Sequence, residues 1–147
     1  MRSILIDTRE QDPFYFHGCP IEKKKLDFGD YSIHGFKQTV AVERKGPLDF
    51  ANSVSRWDEF IARTRKARDR LRHYLVIIER LPTEAELYRL FPGMLRILML
   101  QKIAEIASIN IPVILTTSKE EGATVTKFFL MECTRENPSL MEKLDEN

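Results

Sequence analysis

Apolar runs along the sequence predict three buried strands. They cover residues 3–6, 75–78 and 111–115, and each is built mainly of isoleucine, leucine or valine. Short runs of this kind, rich in β-branched residues, are typical of strands in the interior of a sheet. The first run ends at Asp7, where the sequence becomes polar.

Further strands are indicated by turn residues and by charge. Residues 31–34 and 39–42 follow a Gly-Asp turn signal, and their pattern predicts a hairpin around Gly35. The segment 22–28 contains a run of lysines, so it is at best an edge strand.

After residue 46 the apolar pattern changes from that of strands to that of helices. Between residues 48 and 72, apolar side chains recur at three- and four-residue steps, and a break near 53–56 predicts two helices. Three more helices are predicted: a short one opened by a capping box of Thr83 and Glu86, one over residues 93–108, and one opened by Ser118 and Glu121 that ends near Met131.

This order of elements predicts an α/β domain with a central mixed β-sheet flanked by helices. The early strands should pair antiparallel and the late ones parallel, because helices connect the late strands. We expect the domain to span residues 1–131. Residues 132–147 form an acidic segment, which we expect to be a frayed C-terminal tail.

Composition narrows the classes of protein that fit. The 147 residues are 43% hydrophobic with a net charge of +1, which excludes a disordered chain and a polycation that coats nucleic acid. Two cysteines, Cys19 and Cys133, exclude a disulfide framework and a four-cysteine zinc site. Without a run typical of a membrane span or a signal peptide, we expect a cytoplasmic or nucleoid-associated protein that is not secreted.

Acidic residues flank three of the predicted strands. Asp7 follows the first strand, Asp30 precedes the hairpin, and Glu43 lies near the end of its second strand, two residues before Lys45. Residues i and i+2 of a strand share a face, so Glu43 and Lys45 should point together. Carboxylates that converge on one point repel each other unless a cation lies between them, and Mg²⁺ prefers such oxygen ligands. The pattern therefore predicts a metal site suited to attack on a phosphodiester.

Three sequence blocks occur in the order and spacing of a known family. They are Ile6-Asp7-Thr8-Arg9-Glu10, Phe28-Gly29-Asp30-Tyr31 and Val42-Glu43-Arg44-Lys45, the last of which is followed by Asp49. With these blocks the chain resembles the nuclease domain of the XPF family. Its members are structure-specific DNA endonucleases of the PD-(D/E)XK superfamily, and they include the archaeal Hef nuclease. The resemblance extends over residues 3–131.

The resemblance implies a restriction-endonuclease-like core and a role for each matching residue. Asp7, Asp30 and Glu43 would bind Mg²⁺ or Mn²⁺, and Lys45 would act in catalysis together with Glu43 and Asp30. Supporting positions of the motif are Glu10, Arg44 and Asp49. Two roles remain open for Arg44: a contact to a phosphate and a structural ion pair.

The chain departs from the XPF pattern in two places. The family's Gly-Arg-x-x-x-Gln stretch is shortened here and keeps Arg56. No helix-hairpin-helix module follows, so the resemblance implies a minimal form of the protein. Residues 95–100 carry more apolar surface than one buried helix face needs. This indicates a homodimer formed through the face near the last two helices.

Basic and aromatic residues near the motif offer contacts to nucleic acid. The segment 56–72 is rich in arginine and lysine, as a phosphate-binding surface or a solvated helix face would be. The lysines of 23–25 would either extend this surface or protect an edge strand. Phe14, Tyr15 and Phe16 would either stack on the bases of an unpaired strand or cap the core. The predicted DNA-binding residues are Arg56, Arg63, Lys66 and Arg70.

We therefore predict a metal-dependent DNA endonuclease that acts on branched, flap or fork DNA in repair, recombination or replication. It should need no nucleotide cofactor and no membrane, since the sequence has no phosphate loop, nucleophile elbow or dinucleotide fingerprint. The alternative is a non-catalytic DNA-binding scaffold, a pseudo-nuclease, on the same fold. Cleavage of RNA or of unbranched DNA is a further alternative that the residues leave open.

Overall fold

One mixed β-sheet forms the centre of the molecule. The computed structural model describes residues 1–136 and 138–141. Within them the strands are β1 (Ile4–Ile6), β2 (Ile21–Lys23), β3 (Tyr31–Ile33), β4 (Val40–Lys45), β5 (His73–Glu79) and β6 (Val113–Thr116). They lie side by side in the order β2-β1-β3-β4-β5-β6.

The predicted change from antiparallel to parallel pairing is confirmed. β3 pairs antiparallel with β1 and β4, whereas β4, β5 and β6 are parallel neighbours. β2 lies at an edge, as the lysine run predicted, but it pairs parallel with β1. The loop over residues 7–20 crosses over and brings the chain back in the same direction, so these two strands form no hairpin.

Helices follow the strands in the predicted order. Within the described residues they are α1 (Pro47–Ser55), α2 (Trp57–Arg70), α3 (Glu84–Leu90), α4 (Arg96–Ser108) and α5 (Lys119–Glu136), followed by a 3₁₀ turn at Pro138–Leu140. The break between α1 and α2 falls at Arg56, and both hydrogen bonds of the Thr83–Glu86 capping box are present. In the described part of the chain, no helix has the length and apolar character needed to cross a membrane.

Two helix boundaries differ from the sequence prediction. α4 begins at Arg96 rather than at residue 93, because Gly93 has a φ of 87° and so lies outside the right-handed helical region. α5 continues past Met131 to Glu136 and thus enters the segment predicted to be a frayed tail. Residues 137 and 142–147 of that segment lie outside the described residues.

Two apolar cores lie on opposite faces of the sheet. Helices α1 to α4 pack over one face, against Tyr74, Val76 and Ile78. α5 packs over the other face, against Leu75 and Ile77. Successive residues of β5 therefore enter different cores, which confirms the prediction that this strand is buried on both faces.

The prediction of a buried strand at residues 111–115 is wrong for its central residues. β6 is an outer strand of the sheet, and Ile114 and Leu115 are 37% and 48% exposed. An edge strand has a neighbour on one side only, so apolar side chains there remain in contact with solvent. Exposed apolar side chains at the start of the adjacent α4 are Leu95, Ile97 and Leu100.

A glycine allows β4 to approach the turn before β3. Gly29 has a φ of 73°, and a Cβ at this position would lie 2.9 Å from the Val42 carbonyl oxygen. Side chains are disfavoured both by this backbone conformation and by the short contact. The close approach lets the next residue, Asp30, donate its backbone N–H to the same carbonyl at 2.8 Å.

Candidate active site

The ends of three neighbouring strands bring three acidic residues into one row. Asp7 follows β1 and donates its backbone N–H to the Asp30 carbonyl at 2.9 Å. Asp30 precedes β3 and donates its backbone N–H to Val42 in β4, the residue before Glu43. The pairing of β1 with β3 and of β3 with β4 thus sets Asp7, Asp30 and Glu43 in adjacent positions at one end of the sheet.

The Glu43 carboxylate lies between two cationic groups and a phenol. Its Oε1 is 3.5 Å from Lys45 Nζ and 3.7 Å from Arg63 Nη2. Tyr74, which β5 contributes to the same face, lines the same cleft as Glu43. Because Glu43 is buried, these partners fix where its negative charge is held.

Asp30 and Glu43 repel each other. Burial and the charge of Glu43 raise the pKa of Asp30 to about 8, although a hydrogen bond from the Arg44 backbone N–H, 2.8 Å long, favours the charged form. Burial, followed by the charges of Glu43 and Asp30, also raises the pKa of Tyr74 well above its usual value. An added cation would relieve this concentration of negative charge.

Unlike Asp30, the Asp7 carboxylate is held in its ionised form by hydrogen bonds. Its Oδ1 accepts hydrogen bonds from the Arg9 backbone N–H at 2.9 Å and from Arg9 Nε at 2.8 Å. Its Oδ2 accepts from Arg9 Nη2 at 3.0 Å and from the Leu26 backbone N–H at 2.8 Å. Burial opposes ionisation, but these hydrogen bonds outweigh it and lower the pKa of Asp7 to about 2. Both oxygens of Asp7 are therefore engaged by protein donors.

The carboxylates of this site fit a metal ion bound by two side chains better than one bound by three or more. Within residues 1–136 and 138–141, no group of three or more His, Cys, Asp or Glu side chains could hold a metal ion. Mg²⁺, however, is commonly bound by one or two carboxylates, with waters and a substrate phosphate completing its coordination. Asp30 and Glu43 fit that arrangement, whereas Asp7 would first have to exchange its contacts with Arg9.

A cleft and a groove meet at this site. The cleft has a volume of about 290 Å³ and contains Asp7, Asp30 and Glu43. The adjoining groove, between α1 and α2, has a volume of about 510 Å³. Lys45 and Arg63 line both of them, so one continuous surface links the acidic residues to a basic channel.

The predicted DNA-binding residues divide between this groove and the outer surface of α2. Arg56 and Arg63 line the groove, together with Asp49 from the first turn of α1. Lys66 and Arg70 are exposed on α2 and do not line the cleft or the groove. Two of the four predicted DNA-binding residues, Arg56 and Arg63, therefore line the same groove as Lys45.

Arg44 lies on the opposite face of β4 and forms an ion pair. Its Nε is 2.6 Å from Glu79 Oε1, and its guanidinium lies 4.3 Å from the centre of the Phe14 ring. Glu10 accepts a hydrogen bond from the Tyr31 hydroxyl at 3.2 Å and is 3.9 Å from Arg44 Nη1. Of the two roles left open for Arg44, the structure shows the ion pair.

The aromatic cluster is mostly structural. Phe14 and Phe16 are buried and pack against Tyr31, which confirms the interpretation that they cap the core. Tyr15, between them, is 77% exposed.

Two residues of the cleft have no role predicted from the sequence. Arg9 lies two residues after Asp7 in the same motif block, and this spacing is the signal that could have identified it. Tyr74 fits the apolar face of its strand, so the sequence gives no sign that it lines the cleft beside Glu43.

The site lies within a segment that matches a known family. Residues 6–129 match the family model described as the ERCC4 domain. This chain belongs to that family. The matched segment of the ERCC4 domain includes every residue of the cleft and of the groove.

Two solved structures share the fold of this ERCC4 domain. "XPF from Aeropyrum pernix, complex with DNA" matches with a TM-score of 0.72 and 20% identity, covering 92% of this chain and 66% of that one. "XPF from Aeropyrum pernix" matches with a TM-score of 0.71 and 21% identity, covering 99% and 66%. The chain thus spans 66% of the length of either XPF chain, and the predicted resemblance and fold class are confirmed. No curated protein matches the sequence significantly.

Proposed function

We propose that this ERCC4 domain is a divalent-metal-dependent endonuclease that hydrolyses phosphodiester bonds in DNA and leaves 5′-phosphate and 3′-hydroxyl ends. The observation that carries the proposal is the arrangement of Asp30, Glu43 and Lys45 in a cleft that opens into a basic groove. Family membership and the likeness to an XPF structure in complex with DNA support it.

Each residue of the site has a distinct role in this proposal. Asp30 and Glu43 would hold Mg²⁺ or Mn²⁺, which would supply charge neutralisation and lower the pKa of a bound water. The Lys45 ammonium donates to a phosphate oxygen or orients the attacking water. Arg63 holds the Glu43 carboxylate in place at 3.7 Å, and Tyr74 lines the cleft beside it.

The basic groove is the proposed path of the cleaved strand. Arg56 and Arg63 line it together with Lys45, beside the acids Asp49 and Glu59, and Lys66 and Arg70 extend the positive charge along α2. Phosphate contacts of this kind position a nucleic acid without reading its sequence. Selectivity for a branch, flap or fork then comes from the shape of the DNA.

A second copy of this chain is the proposed occupant of the apolar surface at β6 and α4. Leu95 and Ile97 are 65% and 61% exposed, and α4 contacts β6, whose Ile114 and Leu115 are exposed as well. A contiguous apolar surface next to an open sheet edge is suited to pairing between identical subunits. Sedimentation at several concentrations tests this: we expect a dimer that Ile97→Lys converts to monomer, and a wild-type monomer at all concentrations would contradict it.

One observation favours the alternative of a non-catalytic DNA-binding scaffold. Arg9 occupies both oxygens of Asp7, so the third acid of the row is not available in this conformation. A scaffold would bind DNA equally well with or without a divalent cation. The enzyme requires the cation for cleavage, and this difference separates the two functions.

The test is cleavage of a panel of labelled DNAs: single strand, duplex, 3′ flap, 5′ flap, fork and splayed arm. Each DNA is incubated with Mg²⁺, Mn²⁺ or EDTA. The proteins compared are wild type, Glu43→Gln and the matched control Glu84→Gln, which changes an exposed glutamate on α3. We expect metal-dependent cleavage by wild type and control and none by Glu43→Gln. Binding without cleavage under every condition would favour the scaffold instead.

A further inference from the structure

A second groove lies on the other face of the sheet, between residues 15–17 and the first half of α5. It has a volume of about 580 Å³. α5 begins just beyond the carboxyl end of β6, and β4, β5 and β6 are parallel. The groove therefore opens at the same end of the sheet as the candidate active site.

The walls of this groove combine exposed aromatic rings with lysines. Tyr15 is 77% exposed and Phe128 is 56% exposed, and His17 lies 6.0 Å from the Tyr15 ring, centre to centre. At the wall formed by α5, Lys127 contributes positive charge, while Lys119 is ion-paired with Asp12 and Glu120 adds a negative charge. Aromatic rings that accept stacked bases, with cations for the backbone, are the usual components of surfaces that bind single strands.

The groove is built on a rigid base. Phe14 and Phe16 are 2% and 5% exposed, and they anchor the chain on each side of Tyr15. The Phe14 ring stacks on Tyr31 at 5.0 Å and contacts α5 so closely that a Cβ at Gly122 would lie 2.6 Å from it. The backbone that carries Tyr15 is thus fixed on both sides before any ligand binds, which reduces the entropy lost on binding.

Polar contacts connect this groove to the candidate active site. Lys119 Nζ forms an ion pair with Asp12 at 2.6 Å, and the Asp12 carbonyl accepts a hydrogen bond from the Arg44 guanidinium. Arg44 precedes Lys45 in β4. Two successive polar contacts thus link Lys119 in this groove to Arg44 in β4, through Asp12.

The neighbouring groove on the other side of α5 differs in chemistry. It is lined by aliphatic side chains such as Ile114 and Leu115 and by the acids Glu120 and Glu121, and no lysine or arginine lines it. Glu120 lines the groove at residues 15–17 as well, but there Lys119 and Lys127 lie beside it. Of these two grooves, the one at residues 15–17 combines aromatic rings with lysines.

We propose that the groove formed by Tyr15, His17, Lys119, Lys127 and Phe128 binds an unpaired DNA strand that continues from the strand held in the candidate active site. This inference rests on the proposed function, because it supplies the site that would recognise the unpaired arm of a branched substrate.

The test measures affinity for a splayed-arm DNA and for a blunt duplex by fluorescence anisotropy in EDTA, and it also measures cleavage in Mg²⁺. The variants are Tyr15→Ala and Phe128→Ala, and Tyr88→Ala is the matched control because Tyr88 is an 85% exposed ring on α3. We expect Tyr15→Ala and Phe128→Ala each to weaken splayed-arm binding about 10-fold. Duplex binding, and the affinity of Tyr88→Ala for either DNA, should stay as in wild type.

Three results would overturn the inference, and they are distinguishable. If both variants bind the splayed arm as wild type does while cleavage persists, the groove is not a strand site but the proposed function stands. If wild type neither binds nor cleaves any DNA, both proposals fail. If Phe128→Ala changes the sedimentation of the protein but not its DNA affinity, the groove contacts a second copy instead.

Discussion

β4 places two adjacent cationic residues on opposite faces of the sheet, and their surroundings differ. Lys45 and Arg44 side chains are 15% and 11% exposed, so burial does not distinguish them. Arg44 is neutralised by Glu79 at 2.6 Å and covered by the Phe14 ring. Lys45 faces a carboxylate at 3.5 Å in an open cleft where Asp30 and Glu43 repel each other. Charge that is satisfied within the protein stabilises the fold, whereas charge left unbalanced at a cleft is suited to a ligand.

The largest effect on activity should follow the loss of Lys45. Lys45→Met keeps the length of the side chain and removes its charge, and we expect cleavage to fall about 1,000-fold because a group that stabilises developing charge is lost. Arg63 still lies 3.7 Å from Glu43 in this variant, so stability should fall less than in Arg44→Met, described next. Cleavage rates under single-turnover conditions measure the effect, with Lys102→Met as the control, and retention of the wild-type rate would remove Lys45 from the site.

Replacing Arg44, on the other face of β4, by methionine should lower the stability of the fold. Arg44→Met leaves the half-buried Glu79 without its partner, and we expect the free energy of unfolding to fall by about 3 kcal/mol. Urea denaturation measures this. The double variant Arg44→Met/Glu79→Gln should recover part of the loss, and no recovery would show that the ion pair is not the reason.

The repulsion between Asp30 and Glu43 should make stability depend on pH. The pKa of Asp30 is raised from its ordinary value to about 8, so the folded protein binds more protons than the unfolded chain between the two values. In EDTA, stability should therefore fall as the pH rises from 5 to 8, by up to about 1.4 kcal/mol for each pH unit. Asp30→Asn should flatten this slope in urea titrations. A slope unaffected by Asp30→Asn would assign the pH dependence to other groups.

The smallest predicted effect concerns the contact beneath Tyr15. Gly122→Ala places a methyl group 2.6 Å from the Phe14 ring, and overpacking of this kind costs about 1–3 kcal/mol. The helix propensity of alanine offsets about 1 kcal/mol of that. We expect a net loss of about 1 kcal/mol by urea denaturation, relieved in Gly122→Ala/Phe14→Leu. A more stable Gly122→Ala protein would show that the ring moves freely.

The sequence was most informative where neighbouring residues set the structure. Strand alternation placed Glu43 and Lys45 on one face, and the capping box at Thr83 marked the start of α3. What it could not predict depends on partners far apart in the chain. The ion pair of Arg44 with Glu79 requires β4 and β5 to be paired, and the exposure of Leu115 depends on which strand lies at the edge.

The same reasoning explains the uneven success at the candidate site. The row of Asp7, Asp30 and Glu43 followed from where three strands begin or end. The engagement of Asp7 by Arg9 depends on a side-chain rotamer, and the position of Tyr74 in the same cleft as Glu43 depends on strand register. Neither leaves a periodic signal in the sequence.

Gly29 has a consequence for how this domain can be varied by selection. It carries no functional group, yet any side chain there would meet the Val42 carbonyl and displace Asp30 from Glu43. In a library randomised over residues 27–31, variants selected for folding alone should already be enriched in glycine at position 29. Asp30 itself should become invariant only when the library is also selected for activity, because its buried charge disfavours the folded state without a cation.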